Sequence, residues 1–440
     1  DLYKRQANTW GYGAMTNSYN DMHNSKAMFF IGSNAAEAHP VAMQHVLRGK
    51  ENGAKMIVVD PRFTRTAAHA DQFLRIRPGT DVPIIWGILW HVFENGWEDK
   101  EYIRQRVYGL DEIRAEVAKW TPDVVENVTG VPEDQVKLAA KTMAENRPGT
   151  IVWCMGGTQH TIGNNNTRAY CAMQLALGNV GVSGGGANIF RGHDNVQGAT
   201  DLGILSHTLP GYYGLSDGAW KHWSRVWGLD HAWVQGRFDT DYANTGSAED
   251  GPVPFANPMN SAGMPVSRWI DGVLEEAELI DQRDQLKAMF FWGHAPNSQT
   301  RGPEMKKALE KLELVVVVDP YPTHTAVLPD RQEGIYLLPA ATQFETYGSV
   351  TASNRSLQWR DKVIDPLFEA LPDHTIMYKL SKKLGFSDQL FKNIKVENDE
   401  PNIEDILREI NRGMWTIGYT GQSPERLKLH MENKHTFNTT

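Results

Sequence analysis

Apolar residues near the start of the chain follow two rhythms. The run Ala27-Met28-Phe29-Phe30-Ile31 is apolar at every position and stops at Gly32. A second run, Met56-Ile57-Val58-Val59, stops at Asp60-Pro61. Strands apolar throughout are buried on both faces, as in a parallel sheet flanked by helices. Between the two runs the apolar spacing turns helical, with Met43, Val46 and Leu47 on one face. Pro40 opens that helix, where the first N–H has no partner to lose. The same pattern returns late in the chain. Lys26-Ala27-Met28-Phe29-Phe30-Ile31-Gly32 is matched by Lys287-Ala288-Met289-Phe290-Phe291-Trp292-Gly293 at six of seven positions. Pro303 then opens a helix with Met305, Ala308, Leu309 and Leu312 on one face. Val317-Val318-Asp319-Pro320 mirrors Val58-Val59-Asp60-Pro61. The echo continues through Thr64, Thr66, Ala67 and Asp71 against Thr323, Thr325, Ala326 and Asp330. Two such halves imply two related ligands, or one ligand with two similar halves.

Further elements follow from spacing and punctuation. Helices are predicted over 81–95, 112–120 and 132–145, and Thr121-Pro122-Asp123 reads as a helix cap. A strand over 150–155 ends at Gly156-Gly157-Thr158-Gln159-His160, and a helix runs on to about Leu177. The stretch 178–192 is dense in glycine, so its backbone is special. Residues 245–264, rich in Pro, Gly, Asn and Ser, read as an irregular surface insertion. Helices near 365–384 and 402–413 fall in a charged tail.

Ligands of parallel sheets bind beyond the carboxyl ends of the strands. Gly32 and Gly293 sit there, where glycine lets backbone approach a ligand closely. The helix after each loop offers free N–H groups and a positive dipole end to a phosphate. Asp60 and Asp319 end the next strands, where an acid can bond ribose hydroxyls or purine N–H groups. Each half therefore reads as a nucleotide-diphosphate site, or as an α/β framework whose Asp-Pro pairs only cap strands. The GxGxxG fingerprint of ordinary NAD sites is absent.

Composition narrows the classes. At 440 residues, 41% hydrophobic and 22% charged, the chain can bury a large core and exceeds one typical domain. A net charge of -9 argues against a nucleic-acid partner. The longest apolar stretch, Val82 to Phe93, is too short to cross a bilayer and contains His91. No signal peptide is visible. The start at Asp1 and the end at Thr440 both read as cuts in a longer protein. The cysteines, Cys154 and Cys171, match no zinc or iron–sulfur spacing and read as core residues.

Candidate chemistry lies between the repeats. In Arg191-Gly192-His193-Asp194-Asn195-Val196-Gln197-Gly198 an arginine follows the glycine-dense stretch, where its fork could grip a carboxylate bidentately or pair with a buried acid. His193 could move or steer a proton near neutral pH, or be a satisfied core group. Gln159, His160 and Asn164 to Asn166 could bond a pterin or purine edge; the asparagines also suit a helix start. Tyr212, Tyr213, Trp220, Trp223, Trp227 and Trp233 could line an access funnel or pack between subdomains. No Ser-His-Asp spacing, Walker loop or metal-ligand cluster is present.

These blocks resemble the catalytic (alpha) subunit of molybdenum- or tungsten-dependent formate dehydrogenases, in the molybdopterin oxidoreductase superfamily. The blocks are Ile31 to Pro40, Asp60 to Ala67, Arg77 to Asp81, Gly157 to Thr161 and Arg191 to Gly198. The likeness runs from about Ala7 to the C-terminus. It implies an α/β fold with two pseudo-symmetric Rossmann-like, parallel-sheet domains, each holding one molybdopterin guanine dinucleotide (bis-MGD). Gly32, Asn34, Glu37, Asp60, Arg62, Thr64 and Asp81 would contact one dinucleotide. Gly293, Asn297, Asp319 and Thr323 would contact the other, with Gln159 near the pterin. Arg191 matches the arginine that orients formate, and His193 its neighbour. The implied division is 1–25, a remnant of the upstream active-site region; 26–200, the first dinucleotide domain; 201–284, a connecting insert; 285–385, the second domain; and 386–440, a helical tail before a further domain.

The metal-ligating cysteine or selenocysteine, expected just upstream of Ala7, has no counterpart in Asp1 to Gln6, and no metal ligand is assigned. The [4Fe-4S] cluster would belong to a missing N-terminal part. The resemblance implies oxidation of formate to CO2, reversibly, with electrons passing to an iron–sulfur subunit and in some relatives a membrane cytochrome subunit. Both periplasmic and cytoplasmic relatives exist. The rivals are another bis-pterin enzyme, such as a nitrate reductase, and a non-catalytic structural subunit derived from the superfamily.

Overall fold

The computed structural model describes residues 13–238, 259–264, 266, 268–280, 282, 284–296 and 301–433. Of the predicted insertion only 259–264 are among them, and Asn297 lies outside. The chain divides into two compact units. The described part of the first comprises 13–198 and 351–356; that of the second lies within 199–350 and 357–433.

In the first unit, β1 (Ala27–Ile31), β2 (Lys55–Val59), β3 (Gln72–Leu74), β4 (Gly149–Trp153) and β5 (Ala187–Ile189) form one sheet in the order β3-β2-β1-β4-β5. Every pairing is parallel. The helices α1 (Pro40–Glu51), α2 (Asp81–Glu94), α3 (Glu133–Glu145) and α4 (Gly163–Ala176) cover it. Alternation along the strands splits the core in two. Phe29, Ile31, Ile57, Val59, Ile151 and Trp153 pack with Ile85, Leu89, Ala139, Met143 and Met173 of α2, α3 and α4. Met28, Phe30, Met56, Val58 and Val152 pack on the other face with Met43 and Val46 of α1. Both faces are therefore dry, as the unbroken apolar runs require.

The second unit repeats half of this plan. Its strands β6 (Ala288–Trp292), β7 (Leu314–Asp319) and β8 (Ile335–Pro339) are parallel, in the order β6-β7-β8. They correspond to β1, β2 and β3. Helix α5 (Gly302–Lys311) buries Met305, Ala308 and Leu309 against Val315 and Val317. Helix α6 (Asp373–Leu384) brings Ile376 against Val316 and Val318 on the opposite face. In the first unit β1 also pairs with β4; among the described residues no strand takes that place beside β6.

Several boundaries differ from expectation for local reasons. The helix predicted over 365–384 begins only at Asp373, because Pro366 and Pro372 each bias the preceding residue away from helix. The helix predicted over 112–120 runs Leu110–Val117, entered from Gly109 at φ 74°. The strand predicted to 155 ends at Trp153, and Met155–Thr158 winds into a single helical turn. Tyr213, Trp220, Trp223 and Trp227 pack in one cluster with Met414 and Tyr419. Among the described residues no helix is long and apolar enough to cross a membrane.

Candidate functional site

Because the first sheet is wholly parallel, the carboxyl ends of its strands lie on one edge. The strand order reverses between β1 and β4, and such a switch point is where open α/β sheets bind ligands. The turn after β1 and the turn after β4 meet there. Gly32 has φ 59°, and its carbonyl accepts from Gly156 N at 3.1 Å. A Cβ on Gly32 would lie 2.3 Å from Gly157 N and 2.7 Å from Gly156 C. Only glycine fits, because both the conformation and the space exclude a side chain.

The loop leaving Gly32 is pinned from below. Asn34 Oδ1 accepts from Thr66 Oγ1 at 3.0 Å and from Thr66 N at 3.3 Å, and Thr66 Oγ1 accepts from Ala36 N at 2.9 Å. Glu37 lies at the exposed rim, 3.5 Å from Arg65 Nε. Asp60 Oδ1 accepts from Arg62 N at 2.9 Å. Partial burial raises the Asp60 carboxyl above the usual carboxylate range, against the opposing pull of Arg62. Arg62 itself is exposed. Thr64 Oγ1 accepts from Ala67 N at 3.1 Å and so closes the turn. Asp81, at the start of α2, is buried and accepts from the Tyr170 hydroxyl at 2.9 Å. Burial pushes its carboxyl up, while the Tyr170 bond and His160 draw it down.

Gln159 is exposed just past the turn after β4. Its neighbour His160 donates from Nε2 to Gly156 O at 2.7 Å, and buried Asn166 donates from Nδ2 to Gly157 O at 3.0 Å. These bonds hold the carbonyls of the Gly156-Gly157 turn. Arg191 follows β5 on the same edge and is 2% exposed. Its N–H donates to Ser353 Oγ at 3.3 Å, and its guanidinium donates to Gly13 O. His193 is exposed. Gly32, Asp60, Gln159 and Arg191 thus follow four strands of one sheet and share one edge.

The second unit reproduces the turn with fewer neighbours. Gly293 has φ 56°, and its N–H donates to Val318 O at 2.8 Å, as Gly32 N donates to Val59 O at 3.3 Å. Asp319 Oδ1 accepts from Tyr321 N at 3.0 Å, as Asp60 does from Arg62. Nothing described lies within 4 Å of a Cβ built on Gly293. Thr325 is fully buried like Thr66, but the residue matching Asn34 is Ala295, and the Thr325 hydroxyl has no described partner. The Thr323 hydroxyl is also buried and unpartnered, where that of Thr64 accepts an amide.

Thr66, Tyr170, Ser353 and His39 hold these loops without having been singled out as site residues. Thr66 alone carried a signal, since it recurs as Thr325 in the repeat. At both sheet edges buried hydroxyls lack described partners: Ser33 in the first unit, Thr323 and Thr325 in the second. A buried polar atom left unpaired costs about 1–3 kcal/mol, so a hydrogen-bonding ligand fits these edges. Among the described residues no group of three or more His, Cys, Asp or Glu could hold a metal ion. Cys154 and Cys171 are unpaired thiols, and burial raises both.

The family model described as molybdopterin oxidoreductase matches residues 4–383. A formate dehydrogenase alpha subunit of Methanocaldococcus jannaschii is 33% identical over 422 residues, which is 96% of this chain and 55% of that protein. The nitrate-inducible formate dehydrogenase major subunit of Escherichia coli is 32% identical, covering 84% of this chain and 44% of that one. The chain thus spans about half the length of the curated relatives it matches. Acetylene hydratase from Pelobacter acetylenicus shares the fold, with a TM-score of 0.63 at 20% identity over 93% of this chain and 54% of that one. By model, relatives and fold, this chain belongs to the molybdopterin oxidoreductase family, whose cofactor is a molybdopterin carrying molybdenum or tungsten.

Proposed function

We propose that this chain is the central part of a formate dehydrogenase catalytic subunit, carrying two dinucleotide platforms and the arginine that orients the substrate. The observation behind the reading is Arg191. It is buried, backed by Ser353 and Gly13, and follows β5 on the same edge as the Gly32 turn. A buried guanidinium recognises a planar carboxylate bidentately, and formate is the smallest. The names of the relatives point the same way.

In this reading Gly32, Asn34, Glu37, Asp60, Arg62, Thr64 and Asp81 serve one guanine dinucleotide. Gly293, Asp319 and Thr323 serve the other, with Asn297, which lies outside the described residues. Gln159 lies toward the pterin. When bound, the pterin-held metal supplies the two-electron chemistry. The chain's residues bind and align. Gly32 and Gly293 let backbone approach the cofactor. Asp60 and Asp319 each keep one carboxylate oxygen on their own loop and have a second for the nucleotide. Arg191 fixes the carboxylate so that the C–H bond points one way, and exposed His193 stands two residues on to steer the released proton. A [4Fe-4S] cluster, an iron–sulfur subunit and a membrane cytochrome subunit complete the electron path in this reading.

The test is Arg191→Ala in the full-length enzyme. Hydrogen bonds to charged groups are worth about 1.5–3 kcal/mol each, so kcat/KM for formate falls on the order of 10²-fold, with KM raised and kcat lowered together. Wild-type constants in this variant would remove the role. Activity on nitrate and none on formate would replace the substrate.

A further inference from the structure

His39 connects two loops whose roles are otherwise separate. It ends the loop that leaves Gly32 and carries Asn34 and Glu37, immediately before Pro40 opens α1. Its ring nitrogen Nε2 lies on the carbonyl oxygen of Arg191. A carbonyl can only accept, so Nε2 carries the proton and Nδ1 is the lone-pair nitrogen. That Nδ1 is buried with no described partner. Burial lowers the imidazole below its ordinary 6.5, partly offset by the Arg191 carbonyl. The ring therefore stays neutral and keeps this tautomer. One side of it packs on Phe190, with centroids 5.2 Å apart, and Phe190 in turn meets Tyr19 and Phe30 edge-on at 5.2 and 6.3 Å.

We propose that His39 is the positioning residue for Arg191, fixing its main chain and coupling it to the cofactor-facing loop. The backbone of Arg191 is gripped on both sides, by Ser353 Oγ at its N–H and by His39 at its carbonyl. The grip matters because the sheet releases the chain here: the last bond to β4 before Arg191 runs from Phe190 N–H to Trp153 O at 2.9 Å. Beyond Arg191 the chain finds no packing at Gly192, where nothing described lies within 4 Å of a built Cβ. A guanidinium on such a segment aims well only if its main chain is held from outside. The holder stands on the loop that Thr66 locks through Asn34. Displacement of that loop therefore reaches Arg191 through one side chain. His39 touches no reacting atom in this scheme and acts only through the arginine.

The inference rests on the reading of Arg191 as the formate-orienting residue, so it is tested by two readouts in the full-length enzyme. His39→Phe keeps a ring against Phe190 and loses the donor. His39→Gln places an amide N–H near the position of Nε2. A misplacement of about 1 Å in an aligning group costs on the order of 10²-fold, so His39→Phe lowers kcat/KM for formate by about that factor, and His39→Gln recovers most of it. Amide hydrogen exchange over 189–194 speeds in His39→Phe, is restored in His39→Gln, and is unchanged in β1 and β2. Unchanged exchange over 189–194 in His39→Phe would overturn the proposal. So would loosening that spreads through β1 and β2, or a His39→Gln enzyme as loose as His39→Phe. A wild-type enzyme inert to formate would sink the substrate reading alone, and the exchange result would still decide whether His39 holds Arg191.

Discussion

The two repeat turns form a matched pair in which one substitution separates backbone strain from steric clash. Gly32 and Gly293 have nearly the same conformation, φ 59° and 56°. Their surroundings differ: a Cβ on Gly32 would be 2.3 Å from Gly157 N, and one on Gly293 meets nothing described within 4 Å. An alanine in the left-handed region costs about 1–2 kcal/mol at either site. Restricting the unfolded chain returns about 0.4–1 kcal/mol at either site. Only Gly32→Ala adds overpacking, about 1–3 kcal/mol, and the atoms struck are backbone that cannot rotate away. The difference between the variants, about 1–3 kcal/mol, is thus the clash alone. Chains of two units need not unfold in one step, so local opening energies are the right measure. Amide hydrogen exchange in β1 for one variant and β6 for the other reads them. A Gly293→Ala variant that loosens its strand as much as Gly32→Ala does would refute the steric account.

Two further substitutions follow from the same geometry. Thr66→Val removes the hydroxyl shared by Asn34 and Ala36, leaves the partly buried Ala36 N–H unpaired and reduces Asn34 Oδ1 to its bond from Thr66 N, costing about 1–3 kcal/mol, while Thr325→Val removes a hydroxyl with no described partner and is neutral or stabilising. Equal costs in local exchange would contradict the pairing. Asp81 sets a pH dependence. Burial holds its carboxyl above the ordinary 3.8, so the folded chain keeps that proton more tightly than the unfolded one. The stability it contributes is full below about pH 3.8 and is lost as pH rises through the raised value. Asp81→Asn keeps an acceptor for Tyr170 and removes the loss. The local opening energy of α2 in the variant, read by amide hydrogen exchange, therefore gains over wild type as pH goes from about 4 to 7, and a gain that shrinks over that range would count against the burial of Asp81.

The features legible in the sequence are those set by local pattern. Unbroken apolar runs identified β1, β2 and β7, because burial on both faces leaves no polar position; β6 carries the same run, but only its Phe291 is buried and Phe290 is 47% exposed. The repeated Gly and Asp-Pro turns located Gly32, Gly293, Asp60 and Asp319, because a positive φ and a strand-ending turn leave marks in the residues themselves. The contacts that aim these residues were not legible. Thr66 meets Asn34 across 32 positions, Tyr170 meets Asp81 across 89, and His39 meets Arg191 across 152. None of these pairs has a period or a spacing; each exists only once the parallel strands bring their ends to one edge. Helix starts also shifted where prolines ruled, as at Asp373.

The repeat extends to the backbone and stops short of the polar network. Both turns share φ, the return bond from Gly N–H, and the aspartate that caps its own loop. In the first unit a second layer holds that turn: Gly156 and Gly157 against Gly32, Asn34 and Thr66 beneath the loop, and His39 running on to Arg191. In the second unit the counterpart of Asn34 is Ala295, Thr323 and Thr325 keep hydroxyls with no described partner, and no described strand flanks β6. A preorganised turn loses little on binding, and the first turn has one buried hydroxyl without a described partner, Ser33, against two in the second, so the second gains more bonds when a ligand arrives. A ligand at the second turn thus does more to stabilise its own site than one at the first. The first turn, already locked, can transmit position to Arg191 without having to be ordered itself.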